Sequence, residues 1–422
     1  MLDVMMNDIL GTPAILVGLF ALVGLLIQKK SASTVLSGTL KTIMGFVILG
    51  AGAAVLIGSL THFSKMFDHA FQVQGVIPNN EAIVAAAQTT FGTSTAMIMV
   101  FGMIMNLLLA RFTPLKYIFL TGHHTLFMAC LIAASLSVGG MSGIPLIITG
   151  SILLGICMVI FPAILQPTVR QITGSDDFAV GHFGSIGYYI SAKIGQLFGN
   201  KAKTTEAIQV PKSLGFLRDT SVAISLTMTI FFIVVALFAG RSYIEAQLSG
   251  GSNFIVFAII QAITFAAGVY IILAGVRMLI AEIIPAFKGI ADKLVPNAKP
   301  ALDCPTIFPF APNAVIIGFL FSFLAGLLSM FALPIIGLKV IIPGLVPHFF
   351  TGAAAGVFGN ATGGRIGSMA GAFANGLIIS FIPAILLIFM GDIGYEGTTF
   401  GDSDFGIVGI VIINILKLFG AV

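Results

Sequence analysis

The chain has 422 residues, of which 58% are hydrophobic and 9% charged. A soluble domain carries about 25% charged residues, so water is excluded as the main solvent for this surface; a lipid bilayer accepts it. The net charge of +4 then reflects loops and topology, and points to no nucleic-acid partner.

Met1 to Gly11 holds Asp3 and Asp8 and no basic residue. It lacks the positive start of a cleaved signal peptide, so the first apolar segment is expected to be a retained span. A span needs roughly 20 apolar residues. In chain order, apolar runs occur at about 10–28, 40–61, 93–110, 117–137, 144–164, 221–240, 253–275, 314–336, 340–358, 368–390 and 405–420, about eleven segments. The runs 117–137 and 340–358 carry Gly, Pro or His and are candidates for broken or re-entrant helices. So is 183–198, which is apolar but too short to span. The expected fold is all-α and polytopic.

Basic residues gather in 165–220 (Arg170, Lys193, Lys201, Lys203, Lys212, Arg218) and 277–299 (Arg277, Lys288, Lys293, Lys299), and Lys29 and Lys30 follow the first span. The positive-inside rule puts 165–220 in the cytoplasm and the N-terminus outside. Five spans lie between, so a repeated five-span unit must insert upside down. A weak echo supports this: "VIPNNEAIVAAAQTTFGTSTAMIM" (76–99) matches "LVPNAKPALDCPTIFPFAPNAVII" (294–317), each after an amphipathic stretch (63–75 and 284–293). "TGHH" (121–124) and "PGLVPH" (343–348) sit at similar offsets. The expected division is a first inverted repeat, 1–215, and a second with a final span, 216–422. Inverted repeats hold the solute where the halves meet.

Helix packing accounts for most of the 49 glycines. "GNATGGRIG" (359–367) lacks the Gly-Lys-Ser/Thr ending and preceding strand of a phosphate loop, so a nucleotide site is rejected. The three cysteines, Cys130, Cys157 and Cys304, form no CxxC pair and read as packing residues. No cofactor is implied.

Polar residues at membrane depth need a reason, because a charge there costs about 2.5–3.5 kcal/mol on insertion scales. His123 and His124 form a polar notch with Thr121, Gly122 and Thr125. Adjacent histidines point in different directions, so at least one is expected at a solute site. Asp303 sits among Pro300, Pro305, Pro309 and Pro312, which break a helix. A lone carboxylate on unwound backbone suits a polyol ligand. Asn79, Asn80 and Glu81 occupy the matching zone of the first half, as site residues or as a solvated helix cap. His182 and Ser185 stand at the mouth of the short 183–198 segment, and His348 is a further buried candidate. Asp176 and Asp177 read as a solvated turn, His62 and His69 as interfacial. Among six histidines only His123 and His124 are close in sequence; adjacent residues rarely ligate one ion, and no acidic cluster is visible, so no metal is expected.

Several blocks resemble the ascorbate-type IIC transporters of the ascorbate–galactitol group of phosphotransferase permeases. They are "GTLKTIMGFVILGAGAAVLIG" (38–58), "LTGHH" (120–124), "FAVGH" (178–182), "GVRMLIAEI" (275–283), "LDCPTIFPFAPNAVIIGF" (302–319) and "IIPGLVPHFFTGAAAGVF" (341–358). The resemblance implies a homodimer in a bacterial membrane. It implies a scaffold domain (about 10–62 and 217–290) and a mobile core (about 63–210 and 291–400) that carries the sugar by an elevator step. It also implies separate cytoplasmic proteins, a phosphocysteine IIB and a IIA, that drive uptake by phosphorylation. His123 and Asp303 fall on the family's substrate-contacting positions. The His123–Phe127 segment covers one binding element (with His124 and Thr125), Gly184 and Ser185 another, and Asn80 or Glu81 a third. Asp303 is a possible base. The ascorbate transporters have glutamines where this chain has Phe127, Gly184 and Ser185, so the implied solute is ascorbate or a related sugar acid, lactone or polyol. An ion-coupled secondary transporter of the same architecture is the alternative.

Overall fold

The computed structural model describes residues 12–72, 75–208, 220–390 and 398–418. Met1 to Gly11, on which the outside N-terminus was read, lies outside them, as do Lys212 and Arg218. Six described helices are long and apolar enough to cross a membrane. A seventh span is possible where α7 (Thr220–Ala239) meets α8 (Arg241–Gln247) at a 101° bend.

The remaining expected segments take other forms. The described part of the 10–28 run forms the 15-residue helix α1 (Pro13–Ile27), started by a proline whose missing N–H costs nothing at a first turn. The 117–137 run is a strand followed by α4 (Gly122–Val138, 17 residues), and the described part of 405–420 lies in the 16-residue α12 (Ser403–Leu418). Past its non-helical start at 340–344, the 340–358 run joins 368–390 in one 46-residue element, α11 (Leu345–Met390), broken at Gly364. That residue has φ 59° and ψ −146°, a conformation open essentially to glycine alone. The Asn200–Lys203 turn fills the break. Asn200 N–H donates to Gly363 O, and Arg365 N–H to Lys203 O, both at 2.8 Å. The "GNATGGRIG" run is therefore a helix break.

Residues 63–71 of the amphipathic stretch 63–75, and all of 284–293, extend two 40-residue helices, α2 (Ala32–Phe71) and α9 (Phe254–Lys293). Ser31 caps α2, accepting from Thr34 N–H at 3.3 Å. Small residues let α2 and α9 touch backbone to backbone. A Cβ on Gly45 would stand 2.6 Å from Leu279 N, and one on Gly275 would stand 2.4 Å from Leu49 N. Leu36, Leu40, Met44 and Val47 line the exposed side of α2 at helical spacing.

The fold is all-α as expected, and short parallel strands link its helices. β1 (Ile77–Pro78) precedes α3 (Asn80–Phe112) and pairs with β5 (Thr398–Thr399), while Val76 bridges Ile341. β4 (Lys299–Leu302), ahead of α10 (Pro312–Ile335), lies between β2 (Tyr117–Phe119) and β3 (Ala179–Val180). Non-helical backbone at membrane depth must find its partners inside the protein, and these strands supply them. Asn106 completes the unpaired edge of β2, which is buried, donating to Tyr117 O and accepting from Phe119 N–H, both at 3.0 Å.

The 165–220 stretch is more structured than a loop. α5 (Gly143–Thr173) runs into it, and β3 and α6 (Ser185–Phe198) follow. Asp176, read as a solvated turn residue, is tied down. It accepts from Gln166 Nε2 and Arg170 Nε at 2.7 Å each and from Lys299 Nζ. Lys299 opens β4, so the fold gives this carboxylate partners the sequence does not show.

Candidate functional site

Each strand hands its chain to a short polar turn, and several of these turns meet at one cavity. β4 ends at Asp303, which caps a 3-10 turn over Cys304–Phe310 and accepts from Cys304 N–H at 2.6 Å. Its own carbonyl accepts from Thr306 N–H at 3.0 Å and Thr306 Oγ1 at 2.6 Å. Prolines here prevent an α-helix, as expected. β2 leads to His123 and His124 at the start of α4, β3 leads to His182, and β5 leads to Asp402.

Nε2 of His123 lies 3.5 Å from Asp303 Oδ2, and Nε2 of His182 lies 3.9 Å from Asp303 Oδ1. The second gap exceeds a direct hydrogen bond and leaves space for a hydroxyl to reach both groups. Nδ1 of His182 accepts Gly184 N–H at 3.0 Å and lies 2.9 Å from Tyr188 Oη. A nitrogen that accepts a backbone N–H carries no proton in the neutral ring, which assigns the proton to Nε2, on the Asp303 side. The rings of His124 and His182 lie 3.9 Å apart, and Phe405 stacks on His124 at 5.7 Å. Nδ1 of His124 is buried with no hydrogen-bond partner among the described residues.

The cavity measures about 210 Å³ and is lined by Asn80, His123, His124, Phe127, His182 and Asp303 of the expected set. Its opposite wall is apolar, with Phe46 and Leu49 of α2 and Val346 and Phe350 of α11. It therefore sits where α2 faces the strand-borne turns. A small solute fits this volume.

Other expected residues are near but turned away. Thr125 Oγ1 donates to Thr121 O in its own helix at 3.1 Å. Gly184 and Ser185 shape the turn: Ser185 Oγ donates to His182 O at 2.6 Å. Glu81 lies in α3, and its side chain is outside the described set. His348 pairs with Ser322 Oγ at 2.9 Å away from the cavity, His62 packs edge-on against Phe257, and His69 stacks on Tyr243.

Two aspartates of "TTFGDSDFG" (398–406) were missed by sequence reasoning. Asp402, 3% exposed, lines the cavity and accepts from Asn80 Nδ2 at 3.0 Å. Asn80 Oδ1 in turn accepts Gly401 N–H at 2.8 Å. Asp404, fully buried, accepts Ser185 N–H at 2.8 Å and Ile186 N–H at 2.9 Å, capping α6. The available signal was two carboxylates immediately before an apolar run. The expectation of no metal rested on sequence spacing, but the fold brings carboxylates to the histidines. His123, His124 and Asp303 form one triad of ligand-type atoms within 4.8 Å, and His124, His182 and Asp402 form another.

A family model described as the sugar-specific permease component of phosphotransferase systems matches residues 8–404. The chain belongs to this permease family. It is accordingly a multi-pass membrane protein, in line with its apolar helices. It is also similar to the "Ascorbate-specific PTS system EIIC component" of Mycoplasma pneumoniae, with 27% identity over 416 aligned positions. That match covers 86% of this chain, and the chain spans 63% of the relative's length. The resemblance read from "LTGHH" and "LDCPTIFPFAPNAVIIGF" thus names the right family.

Proposed function

We propose that this permease binds a small sugar-like solute in the cavity between α2 and the strand-borne turns, and passes it inward for phosphorylation. The observation that carries the reading is the convergence of His123, His182 and Asp303, at 3.5 and 3.9 Å, beside an apolar wall inside an otherwise greasy chain. Solute hydroxyls donate to Asp303 and accept from the imidazole N–H groups. The solute is ascorbate, as the name of the Mycoplasma relative suggests, or a related sugar acid or polyol.

The transport step is an elevator movement of the core against the scaffold. The chain forms about eleven crossing or re-entering segments in two inverted halves, with 165–220 cytoplasmic and the N-terminus outside. The strand pairings favour this. Val76, just ahead of β1 in the first half, bridges Ile341 of the second and β1 pairs with β5, while β4 of the second half lies between β2 and β3 of the first. Each half thus lends the other a strand, as expected of two copies of one unit. Two such chains pair as a homodimer. A separate IIB protein, recharged by IIA, supplies the phosphoryl group, and Asp303 is the group placed to accept the hydroxyl proton.

The test is solute uptake by membrane vesicles. Uptake should require phosphoenolpyruvate with the IIA and IIB proteins and yield phosphorylated solute. Uptake driven by an ion gradient alone, with the solute unmodified, would replace this reading by a secondary transporter.

A further inference from the structure

We propose that Tyr188 is a positioning residue of the cavity: its phenol holds the His182 ring in one orientation and one tautomer, with Nε2–H turned towards Asp303 and the solute. The inference rests on the permease reading above and adds to it a residue that does not itself line the cavity.

Tyr188 is fully buried in the first turn of α6. Its ring stacks on Phe358 of α11 at 5.5 Å, a place that phenylalanine would fill as well. The hydroxyl needs its own reason, because a phenol buried without a partner is costly. Its partner is Nδ1 of His182, at 2.9 Å. The same nitrogen accepts Gly184 N–H at 3.0 Å, so it carries no proton in the neutral ring and the phenol donates to it as well. The Cys304 thiol beside the phenol is turned to Phe350 O, at 3.8 Å, and sulfur is the weaker acceptor. Room for the phenol comes from Gly184, where a Cβ would stand 2.7 Å from Tyr188 Oη.

Two donors on one nitrogen decide between the alternatives of the ring. A half-turn about χ2 would put a carbon in that place and leave both buried donors without an acceptor. The other tautomer would set an N–H against Gly184 N–H. The two donors differ in what they anchor. Gly184 belongs to the same short turn as His182 and moves with it, as does Ser185 Oγ, which donates to His182 O at 2.6 Å. Tyr188, through Phe358, ties the ring to α11. The far side of the ring faces the solute. Nε2 lies 3.9 Å from Asp303 Oδ1, a gap that a hydroxyl spans by accepting from Nε2–H and donating to the carboxylate. A flipped ring or the other tautomer offers no proton there, and the hydroxyl loses one of its two partners.

The experiment uses the purified full chain labelled with nitrogen-15 histidine, with L-ascorbate and xylitol as binding probes. The His182 resonances are those missing from the spectrum of His182→Gln. In the wild type they should show a bare, hydrogen-bonded Nδ1 and a protonated Nε2. In Tyr188→Phe the unliganded thermal midpoint should stay close to that of the wild type. The Nδ1 resonance should move towards that of a nitrogen without donors, the Nε2–H signal should weaken, and affinity for the probe that binds should fall severalfold. Gly184→Ala, which drives the phenol from its place, should shift the same resonances in the same direction. The proposal is overturned if wild-type His182 carries its proton on Nδ1, a result that needs no variant. It is also overturned if Tyr188→Phe leaves the His182 resonances unchanged, or if it shifts them and leaves affinity as it was. A lowered midpoint with unchanged resonances would make Tyr188 a packing residue only. Failure of both probes to bind the wild type would fault the solute reading of the cavity, and the spectra would still decide the part played by Tyr188.

Discussion

A buried carboxylate in a membrane protein needs donors, and Asp404 finds them in the first turn of α6. Replacing it with alanine leaves the Ser185 and Ile186 N–H groups without partners. An unmet buried group costs about 1–3 kcal/mol. Asp404→Ala should therefore lower the thermal midpoint of the purified protein and loosen the His182 turn, while Asp404→Asn, which keeps one acceptor, should recover part of the loss. An unchanged midpoint for Asp404→Ala would show that α6 does not depend on this cap. At this scale the sequence was partly legible. His123, His124, His182 and Asp303 stood out because polar groups in apolar runs are conspicuous. Asp402 and Asp404 did not, because two aspartates at the edge of a span look like an ordinary solvated end until folding buries them.

Among elements, the α2–α9 crossing depends on absent side chains. A Cβ on Gly45 would meet Leu279 backbone at 2.6 Å, whereas one on Gly58 meets nothing within 4 Å. Overpacking costs about 1–3 kcal/mol. Gly45→Val should lower the thermal midpoint by several degrees and Gly58→Ala should leave it nearly unchanged; equal effects would remove the close crossing. Long apolar helices were legible in the sequence, since composition alone marks them. Their ends and breaks were not. Residues 63–71 and 284–293 look amphipathic yet simply continue α2 and α9. The short strands escaped notice because a pairing of β4 with β2 and β3 rests on contacts across more than a hundred residues.

For the whole molecule, strand exchange ties distant segments together, and Asp176 is one knot. Burial works against its charge, but hydrogen bonds from Arg170, Lys299 and Gln166 prevail and hold its carboxyl down at about 2, below the ordinary 3.8. A depressed carboxyl stabilises the folded state above its unfolded value and loses that contribution as pH falls towards the folded one. Asp176 is 44% exposed, so screening limits the contribution to about 0.2–1 kcal/mol. The stability difference between the wild type and Asp176→Asn should be constant above about pH 5 and shrink as pH falls below 4; a difference that grows instead would reverse the assigned sign. The family was legible in the sequence because its motifs lie in the turns that build the cavity. The cavity's second carboxylate and its filled helix terminus needed the fold. The central claim is that the cavity among these turns holds the transported solute, and solute binding to the wild type and to Asp303→Asn, with each unliganded midpoint recorded, tests it most directly. The account predicts that Asp303→Asn keeps its fold and loses at least tenfold in affinity, whereas a folded Asp303→Asn that binds like the wild type would place the solute elsewhere.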